Sequence, residues 1–231
     1  MLQMVGVNGM PLVYHSSEGE SCSISMNLIK RLTNPQRAQH SRGIIVVSGL
    51  PRSGTSMMMK ALEAGGIPPL TDHERAADES NPKGYYEFER AKKLREGDMG
   101  WLEQARGKAV KVISALLEYL PTRYTYKIIF MQREMGEILS SQRRMLARSG
   151  QPDDKVSDEK MAELYEKHLH SVETWLSKQS NMEVFYVSYN TILAEPQNAL
   201  RNVNNFLGGD LDLQAMVTAV DPDLNRERRG R

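Results

Sequence analysis

The segment from Gly49 to Ser56 carries the residues most suited to chemistry, reading Gly-Leu-Pro-Arg-Ser-Gly-Thr-Ser with the glycine spacing of a Walker A loop. A bound phosphate needs several backbone N–H groups that converge on it. Glycine permits the left-handed dihedrals and the close approach that this convergence requires. A helix is expected after the loop, and its positive N-terminal end would point at the same anion. The segment therefore predicts a phosphate site.

The position of the loop's cation separates this sequence from nucleoside-triphosphate loops. Those loops place a lysine directly after the second glycine, followed by a Ser or Thr that binds magnesium. Here Thr55 occupies the lysine position and the cation stands earlier, at Arg52. No Asp follows the run 128–130, where a metal-holding acid would be expected. The pattern favours a donor that transfers its group without a metal, and a small-molecule kinase using ATP and magnesium is the alternative.

Composition and charge exclude several other classes of protein. The chain has 231 residues, 40% hydrophobic and 26% charged, which fits one globular domain. A net charge of +1 gives no general field for nucleic acid, so we expect no nucleic-acid partner. Cys22 is the only cysteine, which excludes an internal disulfide and a cysteine zinc site. No apolar run is long enough to span a bilayer, so we expect no stable membrane insertion and a cytoplasmic location.

Alternating strands and helices predict how the loop is positioned. The β-branched run 44–47 is typical of a strand buried on both faces of a parallel sheet. The other predicted elements are strands at 109–113, 127–131 and 184–187 and helices at 56–64, 135–148, 158–178 and 196–207. This order indicates an α/β fold of the P-loop type, with a doubly wound, mainly parallel sheet flanked by helices.

The predicted domain covers residues 43–231, and residues 1–42 are expected to be a weakly structured extension. In a doubly wound sheet, ligands bind at the carboxyl ends of the strands, which is where the loop after Gly49 falls. Within the helix at 158–178 we expect Leu164, His168 and Trp175 to face inward.

Two segments, taken in order, resemble signatures of the sulfotransferase family. The stretch from Pro51 to Thr55 resembles that family's phosphosulfate-binding loop, whose donor is 3′-phosphoadenosine 5′-phosphosulfate (PAPS). The strand at 127–131 leads to Arg133, and Ser141 stands at the spacing with which the family grips the 3′-phosphate. Glu134 and Met135 stand where many relatives have Asn-Pro. The likeness covers residues 43–209 and is nearest to the diverse bacterial branch.

The resemblance implies a set of nucleotide-binding residues, with a tyrosine near the adenine. These residues are Pro51, Arg52, Ser53, Gly54, Thr55, Ser56, Arg133, Ser141 and Tyr189. A late basic segment also closes the nucleotide site in relatives, so Arg228 and Arg229 are further candidates.

The resemblance also implies in-line transfer of a sulfuryl group to a hydroxyl or amine acceptor. Arg52 would stabilise the bridging oxygen, and Lys111 would share that task. Cytosolic relatives use a histidine as the base, but Ile113 stands at that position. Glu87 is the first candidate for the general base. The alternatives are Asp72, His73 and Asp78.

Several properties stay open at this point. Because the histidine is absent, a catalytically inactive protein that only binds nucleotide is a second alternative. The acceptor is expected to be a small molecule, a carbohydrate or a lipid, and the sequence does not choose among them. It predicts no metal site and does not give the oligomeric state.

Overall fold

A parallel sheet of four strands organises the part of the chain that this computed structural model describes, residues 43–72, 86–148 and 156–220. The strands are β1 (Ile44–Gly49), β2 (Ala109–Lys111), β3 (Tyr126–Gln132) and β4 (Met182–Ser188), in the order β2-β1-β3-β4. All three pairings are parallel. The run 44–47 lies in β1, one of the two central strands of the sheet. It is largely buried, as the sequence predicts.

Helices connect these strands, and their ends follow local sequence signals. They are α1 (Thr55–Ala64), α2 (Glu89–Lys92), α3 (Met135–Arg148), α4 (Asp158–Leu176), α5 (Tyr189–Ala194), α6 (Pro196–Leu207) and α7 (Leu213–Ala219). Short 3-10 turns span Leu94–Glu96, Leu102–Ala105 and Ser114–Tyr119. Ser157 caps α4 by accepting a hydrogen bond from the Lys160 backbone N–H. Pro196 occupies the first turn of α6, where its missing N–H costs nothing.

The sheet carries a hydrophobic core on each face, so the predicted doubly wound α/β fold is confirmed. One core packs β1 and β3 against α1, α6 and α7, and its helical members include Met58, Leu62, Leu200 and Met216. The other packs the opposite face against α4 and the 3-10 turns, with Trp101 fully buried in it. None of the described helices is both long and apolar enough to cross a membrane.

Two local predictions differ from the structure. The strand predicted at 109–113 ends at Lys111, because Ile113 caps the 3-10 turn Ser114–Tyr119 and is 43% exposed. The prediction that Leu164 faces inward is wrong, since its side chain is 47% exposed. The residues of α4 that pack on this core, Leu169, Val172, Trp175 and Leu176, all lie in its second half, and Leu164 lies more than one turn before the first of them.

Replacing the buried Leu62 and the exposed Leu164 tests which of the two side chains belongs to the core. Leu62 is fully buried, so Leu62→Ala should lower the free energy of unfolding by about 2–5 kcal/mol. That loss corresponds to a melting temperature roughly 5–15 °C lower in thermal denaturation. Leu164→Ala is the control and should change the free energy by no more than about 0.5 kcal/mol. Equal losses in the two variants would contradict this arrangement of the core.

Candidate functional site

The loop between β1 and α1 has the backbone that a phosphate cradle requires. Gly49 and Gly54 have positive φ values of 144° and 101°. A Cβ at Gly49 would lie 2.6 Å from the Met131 carbonyl oxygen, and one at Gly54 would lie 2.5 Å from Cδ2 of Tyr189. The loop therefore passes so close to β3 and to Tyr189 that only glycine fits at these two positions.

Arg52, between the two glycines, also has a left-handed backbone, with φ at 70°. A non-glycine residue in this region carries strain of about 1–3 kcal/mol, and such strain is concentrated at functional sites. The Arg52 Nε–H donates to Oγ of Ser141 in α3 over 3.0 Å. The predicted cation of the loop and the predicted phosphate-gripping serine are thus in direct contact.

Arg133 joins the loop to the carboxyl end of β3. Its Nη1 donates to the Arg52 carbonyl oxygen at 3.0 Å, and its Nε donates to Glu137 Oε2 at 2.9 Å. The guanidinium carbon lies 4.2 Å from the centre of the Tyr189 ring, in the range of a cation–π contact. The Arg133 side chain is only 7% exposed. These contacts fix the relative positions of the loop, β3 and α5.

Nearly all the residues that the sequence singled out line one cavity of about 530 Å³, a size usual for small-molecule sites. The lining includes Gly49, Pro51, Arg52, Gly54, Thr55, Ser56, Glu87, Lys111, Arg133, Ser141 and Tyr189. Among the predicted nucleotide-binding residues, Ser53 is the exception, because its side chain is 1% exposed and does not reach the cavity. Its hydroxyl has no hydrogen-bond partner among the described residues.

Glu87 lies between two lysines at one side of this cavity. Its Oε2 is 2.8 Å from Lys92 Nζ, and its Oε1 is 3.7 Å from Lys111 Nζ. Lys111 also approaches Ser56 Oγ at 3.5 Å, which connects the carboxylate to the loop. Partial burial alone would lower the pKa of Lys92, but hydrogen bonds and charge attraction from Glu87 and Glu89 outweigh it and raise that pKa. Lys92 therefore stays charged at neutral pH and stabilises the Glu87 carboxylate.

Lys92 is a site residue that sequence reasoning missed. No motif in the sequence singles it out. The structure shows that it lines the cavity and holds Glu87.

Tyr86 fixes the backbone next to Glu87. It has a positive φ of 51°, and its hydroxyl donates to Glu63 in α1. Burial raises the pKa of Tyr86, and the hydrogen bond and charge of Glu63 raise it further, so the phenol stays protonated. The Glu87 carbonyl accepts a hydrogen bond from Thr71 Oγ1 at 2.8 Å. Glu87 is therefore held through its neighbours as well as through its own carboxylate.

Of the three alternatives for the general base, the structure describes Asp72. Asp72 accepts a hydrogen bond from the Glu89 backbone N–H, which caps α2, and it does not line the cavity. His73 and Asp78 lie outside the described residues, as do Arg228, Arg229 and the predicted extension 1–42. Within residues 43–72, 86–148 and 156–220, no three His, Cys, Asp or Glu side chains are grouped closely enough to hold a metal ion.

Comparison with known proteins identifies the family. A sequence model of the sulfotransferase domain matches residues 43–222, and the chain belongs to the sulfotransferase family. It is accordingly an enzyme of the transferase class.

Two solved structures are among those similar to the chain. The sulfotransferase domain of the Synechococcus PCC 7002 olefin synthase is 18% identical with a TM-score of 0.50, over 81% of this chain and 87% of that one. A sulfotransferase from Mycobacterium tuberculosis H37Rv is 16% identical with a TM-score of 0.49, over 88% of this chain and 80% of that one. The first supports the α/β fold. No curated protein sequence matches the chain.

Alanine at Gly54 tests how tightly the loop is packed. The matched control is Gly66, which has the same φ of 101° but, in the described part of the chain, no heavy atom within 4 Å of the position that a Cβ would take. Gly66→Ala should cost about 1–2 kcal/mol of unfolding free energy, for the left-handed backbone alone. Gly54→Ala should cost clearly more in denaturant unfolding, because its Cβ must also displace the Tyr189 ring. Equal costs would show that Tyr189 does not press on the loop.

Proposed function

We propose that this sulfotransferase uses PAPS as its donor and transfers the sulfuryl group to a hydroxyl or amine of a small-molecule, carbohydrate or lipid acceptor. The observation that supports this most is that the loop 49–56, Arg133, Ser141, Lys111 and Glu87 line one cavity. When bound, PAPS supplies the sulfuryl group and a phosphate leaving group.

The residues present fit such a nucleotide. The loop lines the cavity, and α1 begins directly after Gly54, so the positive N-terminal end of this helix would face an anion bound there. Arg133 has five N–H donors, and its bonds to Arg52 and Glu137 use two of them, so up to three can serve a 3′-phosphate. Ser141 would add a hydroxyl donor to the same phosphate.

Arg52 and Lys111 would supply positive charge where the leaving phosphate gains negative charge. Arg52 lines the cavity and donates through Nε to Ser141, the predicted phosphate-binding serine. Lys111 is 11% exposed, so its charge acts in a poorly screened environment. Cations placed in advance at a developing charge stabilise the transition state more than the ground state.

Glu87 would act as the general base. Its carboxylate is ion-paired with Lys92 and Lys111, lines the cavity and is 14% exposed. It would accept the proton of the acceptor group as that group attacks. Lys92 would act as a positioning residue, because it pairs with Oε2 of Glu87, whereas Lys111 is near Oε1.

Thermal denaturation with the nucleotide product tests the donor. Adenosine 3′,5′-bisphosphate at about a hundred times its Kd should stabilise the protein by roughly 2.7 kcal/mol without magnesium. The melting temperature should then rise by roughly 5–10 °C. ATP with magnesium is the control and should give no comparable rise. Stabilisation by ATP and magnesium alone would instead support a kinase.

Glu87→Gln tests the base. The variant should keep the bisphosphate-induced rise in melting temperature and lose roughly 10²–10⁴-fold in kcat for sulfuryl transfer, measured with labelled PAPS. Glu89→Gln is the matched control, because Glu89 also pairs with Lys92 but does not line the cavity. It should retain most of the turnover. Full activity in Glu87→Gln would assign the base elsewhere.

A further inference from the structure

Asn190 is connected to Arg133 through the carboxylate of Glu137. It is the second residue of α5, and its Nδ2 donates to Oε1 of Glu137 at 3.0 Å. The other oxygen of that carboxylate, Oε2, accepts a hydrogen bond from Nε of Arg133 at 2.9 Å. Arg133 lines the cavity, whereas Glu137 and Asn190 do not. Asn190 therefore acts on a ligand in the cavity only through these two side chains.

One hydrogen bond joins Arg133 to Glu137, although a guanidinium and a carboxylate can form two. In a bidentate pair, Nε and the terminal nitrogen beside it each donate to one carboxylate oxygen. Here Nε donates to Glu137, and Nη1 donates to the Arg52 carbonyl. Nη2 makes no hydrogen bond to any residue that the structure describes. The pair is therefore monodentate.

The amide of Asn190 accounts for this single bond, because it binds the second oxygen of Glu137 and so withdraws it from the guanidinium. A carboxylate accepts hydrogen bonds and an amide nitrogen donates them, which turns Nδ2 rather than Oδ1 toward Glu137. Oδ1 of Asn190 is buried and has no hydrogen-bond partner in the described part of the chain. Within that part, Glu137 is thus the group that orients the amide.

Two consecutive residues of α5 set the orientation of Arg133. The ring centre of Tyr189 lies 4.2 Å from the guanidinium carbon, and Asn190 binds the carboxylate that pairs with Nε. The helix follows β4 directly, and Ser188 caps it by accepting a hydrogen bond from the Thr191 backbone N–H. The end of the strand thereby places both residues.

We propose that Asn190 is a positioning residue that makes the nucleotide site selective for a 3′-phosphate. Without its amide, the Glu137 carboxylate would pair with Arg133 through both oxygens and compete with the phosphate for Nη2. Asn190 limits the pairing to one oxygen, so the remaining donors of Arg133 bind the phosphate. This inference rests on the proposed function, in which Arg133 and Ser141 bind that group.

Two nucleotides that differ only in the 3′-phosphate test this proposal. Calorimetry would measure the Kd of adenosine 3′,5′-bisphosphate and of adenosine 5′-phosphate for the wild-type protein and for Asn190→Ala. The variant should bind the bisphosphate about tenfold more weakly, the usual value of a hydrogen bond to a charged group. Its Kd for the 5′-phosphate should change by less than about twofold, because that nucleotide lacks the group that Arg133 binds.

Asn198→Ala is the matched control. Asn198 also donates to a glutamate, Glu195 at the start of α6, over 3.3 Å, and neither residue lines the cavity. This variant should leave both dissociation constants unchanged. Should Asn190→Ala not fold, Asn190→Leu repeats the test, since leucine keeps the shape of the amide and removes its donor.

A second background separates positioning from a structural effect. In Glu137→Gln no carboxylate competes for Arg133, so adding Asn190→Ala should change the bisphosphate Kd by less than about twofold. A purely structural role of Asn190 would weaken binding equally in both backgrounds.

Three results would overturn the inference. They are an equal loss of affinity for the two nucleotides in Asn190→Ala, no loss for either, and the same loss in the Glu137→Gln background. A wild-type protein that binds neither nucleotide is a different result, because it contradicts the proposed function itself.

Discussion

The rest of the site depends on the contacts that the guanidinium of Arg133 makes. It donates to the Arg52 carbonyl and to Glu137, and it lies against the Tyr189 ring. These three contacts join the loop after β1 to the end of β3 and to the helix after β4. Because the side chain is 7% exposed, its charge is stabilised by these partners more than by water. The same group that would bind a phosphate therefore also holds the phosphate loop in place.

Backbone strain and charge are concentrated around the same cavity. The two described non-glycine residues with positive φ are Arg52 and Tyr86, and the second directly precedes Glu87. Each left-handed residue costs free energy that the surrounding contacts must offset. For Arg52 the contacts come from Arg133 and Ser141, and for Tyr86 from Glu63. Both candidate catalytic groups are thus preorganised, which is what stabilisation of a developing charge requires.

Most of the fold could be predicted from the sequence because its signals are local. The β-branched run 44–47, the glycines after α1 and Pro196 at the start of α6 each fix an element through steric or hydrogen-bonding limits of a few neighbouring residues. Leu164 was placed wrongly because its burial depends on how much of the length of α4 the core covers, a tertiary property.

The site could be predicted only in part, because some of its contacts also depend on tertiary structure. The loop glycines, Arg52, Arg133 and Ser141 belong to short motifs, so the sequence alone singles them out. Lys92 has no motif and acts through space, since it comes from α2 to meet Glu87. The contact between Arg52 and Ser141 spans 89 residues and follows from the sheet order that places β1 beside β3.

A crystal structure with adenosine 3′,5′-bisphosphate would show directly whether the loop and Arg133 bind the two phosphates. We expect the 5′-phosphate inside the loop 49–56 and the 3′-phosphate between Arg133 and Ser141. Phosphates bound anywhere else would show that this cavity is not the nucleotide site.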